Sequence, residues 1–289
     1  MLNTGISYKL QKDSPNITWP IRRIRRSQVQ KVDDVVLMEE PLEILINGHR
    51  IAVLMRMPGQ EKELVAGFCI SEGYVRRVRD ILLIHHCGLG HPAPGEQPED
   101  GGPPESRNRV EVMVADGGFA PPEGNDMVRL IRSGCGAADV SAISDSLPFL
   151  SDGFSVSSTV LLRLGKAMRE LQKVHHKVGG THSAAIFLGD GSPVHQAEDI
   201  GRHNAVDKVI GYCFLRKIPL GDKMLVTSGR ASYEMAMKAI RVEIPVIATL
   251  SAPTSMAVEL AEDRGLTLIG YLRGGRMNVY THGHRIEIA

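Results

Sequence analysis

Cys135 is the residue of this 289-residue chain best placed for nucleophilic chemistry. It stands in Arg132-Ser-Gly-Cys-Gly-Ala-Ala138, with a glycine on each side. Flanking glycines permit large backbone excursions and close approach, which suit a sulfur atom that must visit two partners. Arg132 nearby would lower the thiol pKa, and the thiolate is the reactive form. The alternative is an inert loop cysteine. Cys69 and Cys213 fall in apolar helical patterns, where cysteine usually acts as a small hydrophobe. Cys87 follows His85-His86, and together with His91 these residues offer nitrogen and sulfur ligands to a soft metal. Adjacent strand residues point to opposite faces, which argues against a shared ion. No two cysteines have C-x-x-C spacing, so a disulfide scaffold and a short-spaced zinc ribbon are both excluded.

A second chemistry is written in three loops, Thr227-Ser-Gly-Arg230, Ser251-Ala-Pro-Thr-Ser255 and Arg273-Gly-Gly-Arg276. Each follows a predicted strand, and two open directly into helices. Ligands of open α/β sheets bind beyond such strand ends. Glycine lets backbone N–H groups approach an anion, and a helix N-terminus adds a positive dipole. Arg230, Arg273 and Arg276 can each hold a phosphate through paired donors. The loops suggest a pocket for a phosphorylated ligand; the plainer alternative is three polar turns with solvated arginines. Ile200-Gly-Arg-His-Asn-Ala-Val-Asp207 sets Arg202, His203 and Asn204 at a helix start. His203 suits a general acid/base or a ligand contact, because histidine is the side chain whose charge changes near physiological pH. Alternatively it packs against a neighbour while Asn204 or Asp199 caps the helix. His182 is open to the same two readings. The basic run Arg22-Arg-Ile-Arg-Arg26 reads as an exposed strand or arm able to meet an acidic partner.

These residues need a scaffold, and the pattern supplies one. Asn47-Gly48 between two apolar alternating runs signals a hairpin, and Glu61 to Ser71 has helical spacing. Strands are predicted over 80–85 and 109–115, separated by a Pro/Gly/acidic loop over 88–108 that cannot bury enough apolar surface to order itself. After a helical pattern over 157–175, strands and helices alternate to the end of the chain. That alternation implies a largely parallel sheet flanked by helices. We therefore divide the chain into a β-rich domain, 1–150, and an α/β domain, 151–289. Net charge is +1, which argues against a bulk nucleic-acid binder. No apolar run reaches the ~20 residues of a membrane span, and the N-terminus lacks a signal-peptide core. A soluble, cytoplasmic protein is expected. P-loop, serine-hydrolase and zinc-deaminase signatures are absent.

In order and spacing, Gly180-Thr-His-Ser-Ala-Ala185, Ala197-Glu-Asp-Ile-Gly-Arg-His-Asn-Ala-Val-Asp-Lys208, Thr227–Arg230, Ser251–Ser255 and Leu272-Arg-Gly-Gly-Arg276 resemble the FdhD/NarQ family of formate dehydrogenase accessory sulfurtransferases. The Asn47-Gly48 hairpin, Glu72-Gly73 and Ser133-Gly-Cys-Gly136 extend the resemblance through the first half. It implies a cytidine-deaminase-like three-layer α/β/α domain beside the smaller β-rich one. It also implies sulfur delivery: persulfide sulfur passes from a cysteine desulfurase to a molybdenum or tungsten cofactor bearing two pyranopterin guanine dinucleotides. A guanine nucleotide would mimic that cofactor. By this resemblance Cys135 is the sulfur carrier. Tyr271, Leu272, Arg273, Gly274, Gly275 and Arg276 form the cofactor-binding stretch, to which we add Ser228, Gly229, Arg230 and His203. The implied partners are the desulfurase, formate dehydrogenase and a second copy in a homodimer. Many members carry C-x-x-C in the cysteine loop, whereas this chain has Ala138 three residues after Cys135. A loop disulfide or two-cysteine hand-off is therefore impossible, while a one-cysteine relay remains chemically sufficient. The alternative is a chaperone that shields or inserts the cofactor without transferring sulfur.

Overall fold

The computed structural model describes residues 15–75, 77–87, 108–119, 129–131 and 146–288. Strands β1 (Asn16–Arg25) and β2 (Gln28–Leu37) form a two-stranded antiparallel ribbon of their own. A five-stranded sheet follows, in the order β5-β6-β3-β4-β7. Its strands are β3 (Glu40–Ile46), β4 (His49–Arg56), β5 (Ile81–Cys87), β6 (Arg109–Val114) and β7 (Arg129–Ile131). Asn47 (φ 48°) and Gly48 (φ 79°) close the β3–β4 hairpin, as a tight turn with two left-handed residues requires. Helix α1 (Glu61–Ser71) crosses the inner face of this sheet and is buried from Leu64 to Ser71.

The second sheet has six strands in the order β10-β9-β11-β12-β13-β14. They are β9 (His182–Phe187), β10 (Pro193–Asp199), β11 (Met224–Thr227), β12 (Val246–Thr249), β13 (Thr267–Arg273) and β14 (Arg276–Val279). The helices are α2 (Ser158–Leu171), α3 (Lys173–Val178), α4 (Arg202–Leu215), α5 (Tyr233–Arg241) and α6 (Ser255–Arg264). A short parallel pair, β8 (Val156–Ser157) with β15 (Ile286–Glu287), completes the fold. The six-stranded sheet is mixed rather than largely parallel: only β11–β12 and β12–β13 run parallel. Gly189-Asp-Gly-Ser and Gly274-Gly275 are turns too short for a crossover, so β9–β10 and β13–β14 must return antiparallel.

Strands buried on both faces read as continuous apolar runs, and alternate residues here serve two cores. Ala184 and Ile186 face α4, α5 and α6, while Ala185 and Phe187 face Leu161, Leu164 and Met168 of α2. Leu225 and Val226 divide in the same way. The first core is continuous with the five-stranded sheet, because α1 packs on α4. Their contact is glycine on backbone: an added Cβ at Gly67 would lie 1.8 Å from the Asp207 carbonyl oxygen, and one at Gly211 would lie 1.9 Å from that of Glu63. No helix among the described residues is long and apolar enough to cross a membrane.

Candidate functional site

One edge of the six-stranded sheet gathers the residues singled out for anion chemistry. Because β11, β12 and β13 are parallel, their carboxyl ends share that edge. β9 runs antiparallel to β11 and starts there with His182, and β10 ends there with Asp199. The loop after β11 is fixed from both sides. Ser228 donates its N–H to the Ser183 carbonyl (2.9 Å), and its hydroxyl oxygen accepts the Ser183 N–H (2.9 Å). The Thr249 hydroxyl donates to the Gly229 carbonyl. Gly229 is buried against Arg202 and His182: a Cβ there would lie 3.1 Å from Arg202 Cβ and 3.3 Å from His182 Nδ1. The loop after β12 is tied on by Ala231 N–H to the Ala252 carbonyl (3.2 Å) and Thr254 N–H to that of Ala231 (3.0 Å).

The hairpin of β13 and β14 projects beyond its neighbours. Ala248 near the end of β12 pairs with Ile269, and Arg273 lies four residues further on, about 13 Å at strand rise. The register shifts between Gly270 and Arg273, where Tyr271 takes a left-handed φ of 53° and donates its N–H to the Ser251 carbonyl (2.8 Å). For a bulky residue that backbone is an outlier, and such strain collects at functional sites. Gly274 and Gly275 complete the turn at φ 62° and 71°. Leu272 is buried and anchors the hairpin, its carbonyl pressed against Gly165 of α2. Two strand spacings, about 10 Å, separate β11 from β13, so Ser228–Arg230 and Arg273–Arg276 share an edge without being neighbours.

Positive charge dominates this edge. Arg230, Arg273 and Arg276 are exposed, and neither they nor the half-buried Arg202 makes an ion pair among the described residues. Arg202 Nε is buried with no hydrogen-bond partner there. Burial first, then the charges of Arg202, His175, His203 and Arg230, hold His182 below the ordinary histidine pKa. His182 is thus a neutral imidazole amid cations at neutral pH. Glu234 of α5 balances the far side: its Oε2 lies 3.3 Å from His203 Nε2 and accepts the Ser232 hydroxyl at 3.0 Å. Contact with His203, against the opposing cost of burial, brings this carboxyl down to about 2. A depressed carboxylate pKa stabilises the fold above the unfolded-state pKa and loses that contribution as pH falls through the folded value. Glu234→Gln is therefore expected to be less stable than wild type at pH 5, with the gap closing toward pH 2. Urea unfolding across that range measures it.

A buried polar hub aims the start of α4. Asp199 is fully buried and accepts Lys208 Nζ (2.7 Å), Asn204 Nδ2 (2.9 Å), Gly201 N–H (3.0 Å) and Met57 N–H (3.3 Å). Asn204 also donates to the Met55 carbonyl (2.8 Å), and Lys208 to that of Met57 (3.2 Å). One turn on, Asp207 binds Lys238 (2.8 Å) and Ser71 (2.6 Å), and Lys238 reaches Glu72 (2.6 Å). Burial alone would lower the Lys238 pKa, but its two carboxylates outweigh that and raise it. Neither Asn204 nor Asp199 caps α4 by a side-chain bond to the helix N–H groups; Gly201 holds the N-cap. The hub leaves Arg202 and His203 facing the loops. Arg202 and Glu234 are additions to the sequence-derived site. Gly-Arg-His opening a helix was a usable signal for Arg202, whereas nothing local marked Glu234.

Cys69 and Cys213 are both buried. Burial pushes the Cys69 thiol up to about 12 and the Cys213 thiol up to about 11, which leaves neither as a thiolate at neutral pH. Cys135 and Ala138 lie outside the described residues, as does His91. Among the described residues no group of three or more His, Cys, Asp or Glu side chains is placed to hold a metal ion. β7 pairs parallel with β4, Ile131 opposite Leu54, and the next β4 residue is the Met55 that binds Asn204. Two open surface hollows lie elsewhere, one over Leu82 and Met113 and one along the β1–β2 ribbon. Among the described residues, the unpaired arginines singled out for anion binding converge on the sheet edge rather than on either hollow.

The FdhD/NarQ family model matches residues 37–287, which include every segment of this edge. The chain belongs to that family. Its relatives include the sulfur carrier protein FdhD of Mycobacterium tuberculosis, 41% identical over 276 residues, covering 92% of this chain and 96% of the relative. The protein of the same name from Sulfolobus acidocaldarius is 36% identical over 274 residues, covering 93% of this chain and 99% of the relative. Among solved structures, a protein from Desulfotalea psychrophila assigned as a formate dehydrogenase accessory protein aligns with a TM-score of 0.73, at 24% identity. The alignment covers 95% of this chain and all of that one, so the FdhD/NarQ fold extends across the molecule.

Proposed function

We propose that this chain is a sulfur carrier serving formate dehydrogenase, with Cys135 as the carrier and the arginine edge as the seat of the cofactor that receives the sulfur. The reading takes its sulfur chemistry from relatives named for it and its cofactor class from the family resemblance; the free cations of the edge suit the phosphates of such a cofactor. One observation carries it: among the described residues, four arginines without carboxylate partners line these strand ends, and β7, the strand that precedes the cysteine segment, pairs with β4 one residue before the Met55 that accepts from Asn204 at the start of α4. Four Cα-to-Cα steps lead from Ile131 to Cys135, a reach of at most about 14 Å.

In the first step the Cys135 thiolate attacks the outer sulfur of the desulfurase persulfide. A new S–S bond forms, the donor S–S bond breaks, and the desulfurase cysteine leaves as thiolate. Delivery breaks the S–S bond on Cys135. Two electrons from an external thiol reductant convert the outer sulfur to sulfide, and Cys135 returns to thiolate. The substrate cofactor, molybdenum or tungsten with two pyranopterin guanine dinucleotides, brings diphosphates that suit this edge. The orphaned Arg202 Nε, the exposed Arg273 and Arg276, and the Ser228–Gly229 turn supply the donors. Neutral His182 adds a hydrogen-bonding group without further positive charge.

Incubation with a cysteine desulfurase and cysteine, followed by mass mapping, tests the carrier. Persulfide should appear on Cys135, and Cys135→Ala should abolish it. Persulfide that survives the substitution sinks the assignment. Ala138 motivates the chaperone alternative, which is favoured by guanine-nucleotide binding with no persulfide on Cys135. Arg273→Ala with Arg276→Ala should weaken guanine-nucleotide binding by about 10- to 100-fold, since a charge-assisted bond contributes about 1.5–3 kcal/mol. Unchanged affinity by calorimetry rejects the phosphate site.

A further inference from the structure

We propose that the β1–β2 ribbon is a docking arm that grips an acidic, apolar-centred surface on the client enzyme; the identity of the client rests on the sulfur-carrier reading above. Among the described residues the two ten-residue strands pair only with each other, and no residue from Asn16 to Leu37 is buried. A ribbon of two strands is marginal in water by itself, so its face is one that a partner would cover. Ile24 and Val29 sit directly opposite each other near the tip, 68% and 61% exposed. Arg22 and Lys31 are paired on the same face, two residues toward the root. Arg23 is tied to Asp34 at 3.2 Å, while Arg22, Arg25, Arg26 and Lys31 have no ion-pair partner among the described residues. Arg26 holds a left-handed φ of 55° in the turn, a place where glycine or asparagine fits with less strain.

Charge selects the occupant. Five cations against Asp33 and Asp34 give the ribbon +3, and the whole chain carries +1, so the remainder is −2. A two-fold pairing of ribbons would set these cations against themselves, which disfavours a second copy through this face. An acidic protein surface with a small apolar seat satisfies both the arginines and the Ile24–Val29 pair. Position selects the client over the sulfur donor. Leu37, at the ribbon root, lies against Gly180, two residues from His182 on the cationic edge. The enzyme receiving the sulfur must approach that edge.

Two full-length variants test the arm, Arg25→Glu with Arg26→Glu and Ile24→Thr with Val29→Thr. Their binding to purified apo formate dehydrogenase is measured by interferometry at low and high salt. Each should bind at least about tenfold more weakly than wild type, and charge reversal should remove most of the salt dependence. Guanine-nucleotide binding and persulfide loading of Cys135 should be unchanged in both, which also reports that the variants fold. Undiminished binding by both variants overturns the proposal. So does a loss confined to the cysteine desulfurase, binding directed to phosphatidylserine vesicles instead of the apo-enzyme, or a shift from dimer to monomer on sedimentation. Arm-dependent client binding by a protein that takes up no persulfide would uphold the arm and reject the sulfur-carrier reading.

Discussion

Gly211→Ala is expected to destabilise the protein by about 3 kcal/mol and to lower its thermal midpoint by about 6–12 °C. The new methyl group would lie 1.9 Å from the Glu63 carbonyl oxygen and 2.6 Å from Gly67 N, both backbone atoms of α1. No rotamer change moves backbone, so α1 and α4 must separate along a contact buried on both sides. Gly67→Ala attacks the same contact from the other helix, at 1.8 Å from the Asp207 carbonyl, and should cost a similar amount. Gly153→Ala is the control, because nothing lies within 4 Å of its added Cβ. Its effect should stay within about 0.5 kcal/mol. Differential scanning calorimetry on the three variants decides the matter, and equal midpoints would show that α1 and α4 do not pack through these glycines.

Asp199→Ala should cost about 3–5 kcal/mol, because removing one member of a buried ion pair strands the other. The Lys208 ammonium, 2% exposed, loses its carboxylate, and the amide donors of Asn204, Gly201 and Met57 lose an acceptor. Lys208→Met alone strands the carboxylate and should cost a comparable amount. The double variant removes both charges and should be destabilised by clearly less than the sum of the two. Denaturant titration of all four proteins closes the cycle. Strict additivity would mean that the pair is not coupled in the folded chain. Asp199→Ala should also weaken guanine-nucleotide binding, since Arg202 and His203 take their direction from the hub.

Much of the fold could be read from the chain because local chemistry dictated it. Asn-Gly forced the β3–β4 turn, and the loop ending at Ser255 opened into a helix, Ser255–Arg264, which Gly265 stops in the left-handed region at φ 78°. Cys69 and Cys213 were assigned to packing from their apolar neighbours, and both are buried. Alternation of strands and helices was visible, but strand direction was not. Two of the connections are short turns, and turn length, more than periodicity, sets that direction. The gathering of His182, Ser228 and the α4 start was legible only as a list of loops. It took the reversed direction of β9 to bring His182 to the same edge. The hub was missed because its partners come from far along the chain, with Met57 142 positions from Asp199. A signal existed: Asp207-Lys208 stands in a helix apolar on almost every side, where adjacent opposite charges must each find a buried partner.

Helix α4 is buried without interruption from Asn204 to Gly211, between α1 and the six-stranded sheet. Its central amides can reach solvent only when the molecule opens as a whole, so hydrogen exchange there reports global stability. The residues that would greet a ligand thus stand at the mouth of the least yielding part of the protein. Affinity can be tuned by substitutions in the surrounding turns, but the direction in which Arg202 and His203 point is set by the stability of the entire fold.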